Sequence, residues 1–283
     1  MTQLRTKMIE AMQLRGFSPR THSSYLYAVR ALARHYHRPP DQLTVDDVQA
    51  FLQYLAVKRQ LSASTCRLHL HGIRFLFVQV LHRAAFECEY HVPKRKQRIP
   101  ELLTHSDVKS LIAVLHNLKH QTLLMTCYGC GLRLSELTHL KVRHIDGERE
   151  LLRVEQGKGA KDRLVPMPPS LLVQLRRYWQ AEHPNPWLFP GRDPRRPLSV
   201  NSPQRVYRCA RQQAGITKVG GIHALRHAYA THQLEAGLPV HRLQRYLGHR
   251  NIQSTLRYVH WVPTAHGRNA PVDLLAGMEV THV

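Results

Sequence analysis

Acidic residues are scarce in this chain: 19 Asp and Glu stand against 41 Lys and Arg in 283 residues, a formal charge of +22 with histidine neutral. A folded chain tolerates such self-repulsion when its partner is a polyanion, and a nucleic acid is the commonest one. An anionic membrane is the rival, but no lipidation motif or basic amphipathic anchor is present. No apolar run has the length needed to cross a bilayer. The opening MTQLRTKMIEAMQLRG lacks the apolar core of a secretory signal. We therefore expect a soluble cytoplasmic protein with no membrane partner.

Cysteine is also sparse, five in all, and an odd number argues against a disulfide framework and for a reducing compartment. Cys127 and Cys130 form a CxxC, yet it sits in TLLMTCYGCGLRLSEL, a helical pattern rather than a strand leading into a helix. Both are expected to be packing residues. Histidine is abundant at 21, and His223 and His227 share a helical spacing that invites a zinc reading. HALRH lacks the glutamate of HExxH and no third ligand is placed, so no metal site is expected. No Walker motif, internal repeat or low-complexity tract occurs, and no cofactor is expected.

What is present is helical periodicity. Four amphipathic segments fill roughly the first eighty residues, divided by Gly16, by Pro39 and Pro40, and by the caps Ser18, Thr44 with Asp47, and Ser62. The last of them carries Ile73, Leu76, Phe77, Val80 and Leu81 as its apolar stripe. Residues 1–82 are thus expected to form a small all-helical domain. Residues 83–100 are expected to be a linker, held extended by Pro93 and Pro100. Its cations Lys94, Arg95, Lys96 and Arg98 would suit a strand crossing a phosphate backbone. A second domain, residues 101–283, opens with the cap Thr104 and Asp107. Its helical patterns are interrupted by two short strands, Leu151 to Glu155 and Asp162 to Met167, joined through GKGAK as a β-hairpin with lysines near its tip. The fold class expected is mainly α with one small hairpin sheet.

Breaking a phosphodiester without metal or ATP needs a nucleophile, cations for the charge growing on phosphorus oxygens, and an acid for the leaving oxygen. Arginine suits the second task because its planar fork holds two oxygens at once. The strings GCGLRLSEL, EQGKGAKDRLVPM, HALRHAYATH, RYLGHRNIQST and LRYVH occur here in that order. Together they resemble the tyrosine recombinases of the phage-integrase superfamily, particularly Xer-like and integron-integrase-like members, over nearly the whole chain. The N-terminal helical unit resembles that family's SAM-like core-binding domain. The resemblance implies Arg133, Lys158, His223, Arg226 and His249 as catalytic residues, Tyr258 as nucleophile, and Glu136 as a support for Arg133. Lys161 and Arg163 compete with Lys158 for the hairpin role, and only the GKG match selects Lys158; both are otherwise expected to contact DNA.

The spacings agree with these roles. His223 and Arg226 are three apart, so a helix presents both on one face. Gly129 and Gly131 would let the chain around Arg133 approach a phosphate closely. His249 and Tyr258 would fall on opposite faces of one continuous helix, but Gly248 ends one helix and Asn251 caps the next.

The resemblance further implies a 3′-phosphotyrosyl intermediate on duplex DNA and a homotetramer working through a Holliday junction. It implies proton donation by Lys158, with His223 assisting as acid or base. A type IB topoisomerase is one rival, disfavoured by the N-terminal helical domain. A non-catalytic DNA-binding protein on the same fold is another, disfavoured because every matched position is intact. The short interval between Lys158 and His223 points toward Xer-like or mobile-element enzymes rather than integron integrases. The apolar tail, Val272, Leu274, Leu275 and Met278, is expected to dock on a neighbouring protomer.

Overall fold

The computed structural model describes residues 3–83, 86, 101–155, 162–262 and 273–274. It separates into two compact units, residues 1–98 and 99–283. Among the described residues, no helix is long and apolar enough to cross a membrane.

The first unit holds α1 (Gln3–Leu14), α2 (Pro19–Tyr36), α3 (Val45–Val57) and α4 (Ala63–Arg74). Each start after the first is written in the sequence. Ser18 Oγ accepts from Thr21 N at 3.2 Å, and Ser62 Oγ from Thr65 N at 3.3 Å. Thr44 and Asp47 form a reciprocal capping box at 3.1 and 2.9 Å. The expected fourth helix does not run regularly to Leu81. It ends at Arg74 and widens into a π-helical turn, Phe75–Val80. Phe75, Leu76 and Phe77 are consecutive and all buried, which a narrow α-helical stripe does not accommodate. They join Met8, Met12, Leu32, Val48, Phe51 and Leu52 in this unit's core.

The second unit begins at α5 (His105–Ala113), capped by Thr104 and Asp107 as expected, with bonds of 2.7 and 3.1 Å. There follow α6 (Leu118–Gly129), α7 (Leu134–Thr138), β1 (Ile145–Asp146), β2 (Leu151–Val154), β3 (Arg163–Pro166) and α8 (Pro169–Glu182). The chain continues through α9 (Asn201–Gln213), α10 (His223–Glu235), α11 (Val240–Leu247) and α12 (Gln253–Val259). The sheet is antiparallel in the order β1-β2-β3, with Leu152 opposite both Ile145 and Val165. The mainly α class with a small sheet is as expected; β1, two residues long, is the addition.

Two helices, α6 and α10, are buried almost all round and form the axis of this unit. Thr122 and Thr126 suit that position because each hydroxyl donates to a carbonyl one turn back, at 2.7 Å, so neither hydroxyl is left unpaired. Cys127 and Cys130 lie within this core as free thiols, both pushed up to about 12 by burial. The CxxC is packing, as its helical context indicated.

The described part of the tail lies against its own domain. Ser170 Oγ donates to the Asp273 carboxylate at 2.8 Å, and Leu274 is buried in the core of the second unit. The rest of the expected docking segment, Val272, Leu275 and Met278, lies outside the described residues.

Candidate active site

Three arginines far apart in sequence meet at one carboxylate and one helix end. Glu136 opens α7 beside the turn that follows α6, and its side chain is 4% exposed. It accepts from Arg133 Nη1 at 2.7 Å and from the Arg133 backbone N–H at 2.8 Å. Arg163 grips it bidentately, Nη1 and Nη2 each at 2.8 Å, and Arg226 Nη1 lies 3.8 Å away. The same three guanidinium groups each donate to one of three successive carbonyls at the C-terminus of α11. Arg163 Nε reaches Tyr246 O at 2.8 Å, Arg226 Nη2 reaches Leu247 O at 2.6 Å, and Arg133 Nη2 reaches Gly248 O at 3.0 Å.

A helix C-terminus carries a partial negative charge from its unpaired carbonyls, so it and the carboxylate together offset the repulsion among three cations. Burial would raise the Glu136 carboxyl, but Arg163, the Arg133 N–H and Arg226 outweigh it and hold it at about 2. Arg226 is 1% exposed and is pushed down to about 10, by burial first and then by Arg133. It stays charged at neutral pH.

Two glycines make this arrangement possible. Gly131 has φ +58°, and a Cβ there would lie 2.3 Å from the Tyr229 ring. Its carbonyl accepts from Arg226 Nη1 at 2.6 Å. The expected role of Gly129 and Gly131, close approach to a phosphate, is therefore corrected: Gly129 lies inside α6, and Gly131 serves a left-handed turn packed under Tyr229. Gly248, at φ +61°, ends α11, and a Cβ there would sit 3.0 Å from the Arg163 side chain.

Beyond Gly248 the chain delivers His249. Arg226 Nη2 donates to His249 Nε2 at 3.1 Å, and since arginine only donates, the ring proton resides on Nδ1, facing Thr255 Oγ1 at 2.8 Å. His249 is pushed down to about 3, by burial first and then by Arg226 and Arg133. His223, at the start of α10, is pushed down to about 4 by desolvation and by Arg226, Arg257 and Arg133, although the residue as a whole remains exposed. Both are neutral near pH 7.

Arg133, His223, Arg226, Gly248 and His249 line one pocket of about 310 Å³, completed by Arg250, Asn251, Ser254 and Arg257. Asn251 Oδ1 accepts from Gln253 N at 2.9 Å, but it stands one residue before the place expected of it: Ile252 occupies the cap position of α12.

Tyr258, on α12 beside Arg257, is 0% exposed. Its hydroxyl lies 3.0 Å from His227 Nδ1 and accepts from Arg257 Nη2 at 3.4 Å. The hydroxyl can also accept from His227 or donate to it, and the tautomer of the imidazole sets which. His227 is pushed down to about 3, by burial first and then by His223, Arg257 and Arg226. Trp261 packs edge-on to the Tyr258 ring at 5.1 Å.

Five of the seven residues expected from the recombinase motifs are thus brought together at or beside the pocket: Arg133, His223, Arg226, His249 and, through the cage, Glu136. Tyr258 is next to it but enclosed. Lys158 lies outside the described residues, as do Lys94, Arg95, Lys96, Arg98 and Lys161. Arg163 departs from expectation. Placed among the DNA contacts by its position in the hairpin, it turns inward instead, 9% exposed at the side chain, because the buried Glu136 carboxylate needs its fork. His227 matches no recombinase motif, and its one sequence signal is its place on the same helix face as His223.

A fold with a helical N-terminal unit and a mostly helical second unit, the latter carrying a cationic pocket beside a buried tyrosine, is that of a tyrosine recombinase. Comparison with known proteins bears this out. Residues 101–264 match the phage integrase family, and residues 4–85 match the N-terminal SAM-like domain of phage integrases. The chain is 39% identical over 260 residues to a putative integrase/recombinase, y4qK, of Sinorhizobium fredii, covering 92% of this chain and 84% of that one. It is 33% identical over 272 residues to the tyrosine recombinase XerA of Thermococcus onnurineus, covering 92% and 90%. The fold is shared with a lambda integrase dimer bound to a COC′ core site, with a TM-score of 0.72 at 20% identity over 90% of this chain and 92% of that one. The chain belongs to the phage integrase family and is a tyrosine-type site-specific DNA recombinase.

Proposed function

We propose that this recombinase cuts and rejoins duplex DNA through a covalent bond between Tyr258 Oη and a DNA phosphate. The observation that supports it is the convergence of Arg133, Arg226, His223 and His249 on one pocket, to which α12, the helix of Tyr258, contributes Ser254 and Arg257.

The scissile phosphate enters the pocket that Arg133 and Arg226 line and is held there by their positive charge. Tyr258 Oη then attacks phosphorus while its proton passes to His227 Nδ1, which lies 3.0 Å away and is unprotonated in the Nε2–H tautomer. The bond from phosphorus to the 5′-oxygen breaks, and Lys158 protonates that oxygen. The products are a 3′-phosphotyrosyl link and a free 5′-hydroxyl. A 5′-hydroxyl from a second duplex attacks the link in turn, the bond to Tyr258 breaks, and the phenol recovers its proton. Each step exchanges one phosphoester bond for another, so no ATP is consumed. Negative charge arriving in the pocket raises the affinity of His249 for a proton, which lets Nε2 change from acceptor to donor toward the phosphorane; His223 assists from the rim.

Two duplexes must be held together for the second attack, which a homotetramer resolving a Holliday junction provides. The linker cations Lys94, Arg95, Lys96 and Arg98, with Lys161, supply backbone contacts. The test is trapping on a nicked suicide substrate: the wild-type chain should give a covalent adduct and Tyr258→Phe should bind DNA equally and give none. An adduct with Tyr258→Phe would overturn the assignment of the nucleophile. Binding by the wild-type chain without any adduct would leave a DNA-binding protein that does not cut.

A further inference from the structure

The third guanidinium of the cage has no assigned part in the chemistry. We infer that Arg163 is a positioning residue, which fixes Glu136 and the Gly248 turn so that Arg133 and Arg226 are aimed at the phosphate, and that it makes no DNA contact itself. This rests on the reading of the pocket as the phosphate-transfer centre.

The geometry carries it. Arg163 commits all three of its nitrogens: Nη1 and Nη2 to the two oxygens of Glu136 and Nε to Tyr246 O, each at 2.8 Å. It is absent from the lining of the 310 Å³ pocket, to which its neighbours in the cage contribute. The small part left open faces a separate groove with Arg153, Arg242 and Arg245. Its side chain also lies against Gly248, the residue whose carbonyl holds Arg133 and whose successor is His249.

Without Arg163, Glu136 keeps its bonds to Arg133 but loses the pair that fixes the plane of its carboxylate. Arg133, which is 22% exposed at the side chain, then has a mobile anchor. Arg163 stands on β3, so it also ties the sheet to the C-terminus of α11, an attachment that no other cage residue provides. Only a fork can do this. A lysine at 163 keeps the charge, but one ammonium cannot meet both carboxylate oxygens and a carbonyl in a fixed plane.

The experiment uses the full chain with Arg163→Lys, Glu136→Gln and the double variant, on the nicked suicide substrate at saturating DNA. Arg163→Lys should slow adduct formation about tenfold or more while leaving DNA affinity and its salt dependence unchanged. The double variant should be no slower than the worse single one, because two residues acting through one interaction are not additive. A salt slope reduced by about 0.9 in Arg163→Gln, which removes the charge, would make Arg163 a phosphate contact and overturn the inference. So would a wild-type rate in Arg163→Lys, or losses that multiply in the double variant. If Arg163→Lys unfolds at assay temperature, Glu136→Asp reads the same link by shortening the carboxylate's reach. It should slow the adduct step at unchanged affinity, and a wild-type rate would again overturn the inference. Adduct formation by the wild-type chain in parallel separates failure of this inference from failure of the proposed reaction.

Discussion

Tyr258 and His227 lie 31 residues apart in sequence and share a hydrogen bond of 3.0 Å between the phenol oxygen and Nδ1. Two substitutions of His227 separate hydrogen bonding from proton uptake. In His227→Asn the amide oxygen can stand near the place of Nδ1, whereas in His227→Phe no acceptor remains. We expect the Phe variant to form the covalent adduct about 10²-fold more slowly, within the range of a positioned proton acceptor. The Asn variant should stay as slow, because an amide oxygen accepts a hydrogen bond without taking up the proton, with DNA affinity unchanged in both. Equal rates for His227→Phe and the wild-type chain on the suicide substrate would remove His227 from the chemistry.

The division of labour between nucleophile and acid is tested by sulfur. Lys158→Ala should slow cleavage by about 10² to 10⁴, the usual contribution of a positioned acid. A substrate with sulfur in place of the leaving 5′-oxygen departs without a proton. It should restore Lys158→Ala substantially and leave Tyr258→Phe inactive. If sulfur rescues neither variant, the acid is another group, and Lys161 and His223 become the candidates.

Acid should destabilise this protein progressively from pH 6.5 downward. His227, His232 and His249 are held down to about 3, 4 and 3, chiefly by burial, against an ordinary value of 6.5. Below pH 6.5 the unfolded chain therefore binds protons that the folded chain refuses. Stability is full above that value and falls as pH drops toward 4 and then 3, by up to about 1.4 kcal/mol per pH unit for a group as enclosed as His232. Glu136, depressed from 4.5 to about 2, adds a loss of the same sign between those values. Thermal melts across pH 4 to 8 should show a melting temperature that already declines below pH 6.5. A flat curve from pH 7 to 5 would contradict this account.

Leu274 is 3% exposed in the core of the second unit, next to the bond between Ser170 and Asp273. Leu274→Ala should lower the stability of the DNA-free chain by about 2 to 3 kcal/mol, the lower part of the range for a buried leucine. Denaturant titration of the monomer checks it. An unchanged midpoint, with assembly on DNA impaired, would show that this segment acts between protomers instead.

Most helix starts were legible because a cap is a local device. Ser18, Thr44 with Asp47, Ser62, and Thr104 with Asp107 are all satisfied within three residues of themselves. The pocket residues were legible through motif order, which no periodicity could supply. What stayed hidden depends on partners distant in sequence or on backbone. Arg163 reads as one more hairpin cation until Glu136, 27 residues earlier, is seen to be buried beneath it. The carbonyls of Tyr246, Leu247 and Gly248 leave no trace in residue identity at all. β1 is too short to show a two-residue alternation, and the π-helical turn at Phe75–Val80 arises from three consecutive apolar residues that a helical stripe treats as an excess.

The arginine cage is held by the protein's own carboxylate and carbonyls, and Tyr258 beside it is fully enclosed. On the proposed reaction the attacking oxygen comes from a helix of only seven residues, Gln253–Val259, so what controls cutting is the access of an enclosed tyrosine rather than how firmly the backbone is held.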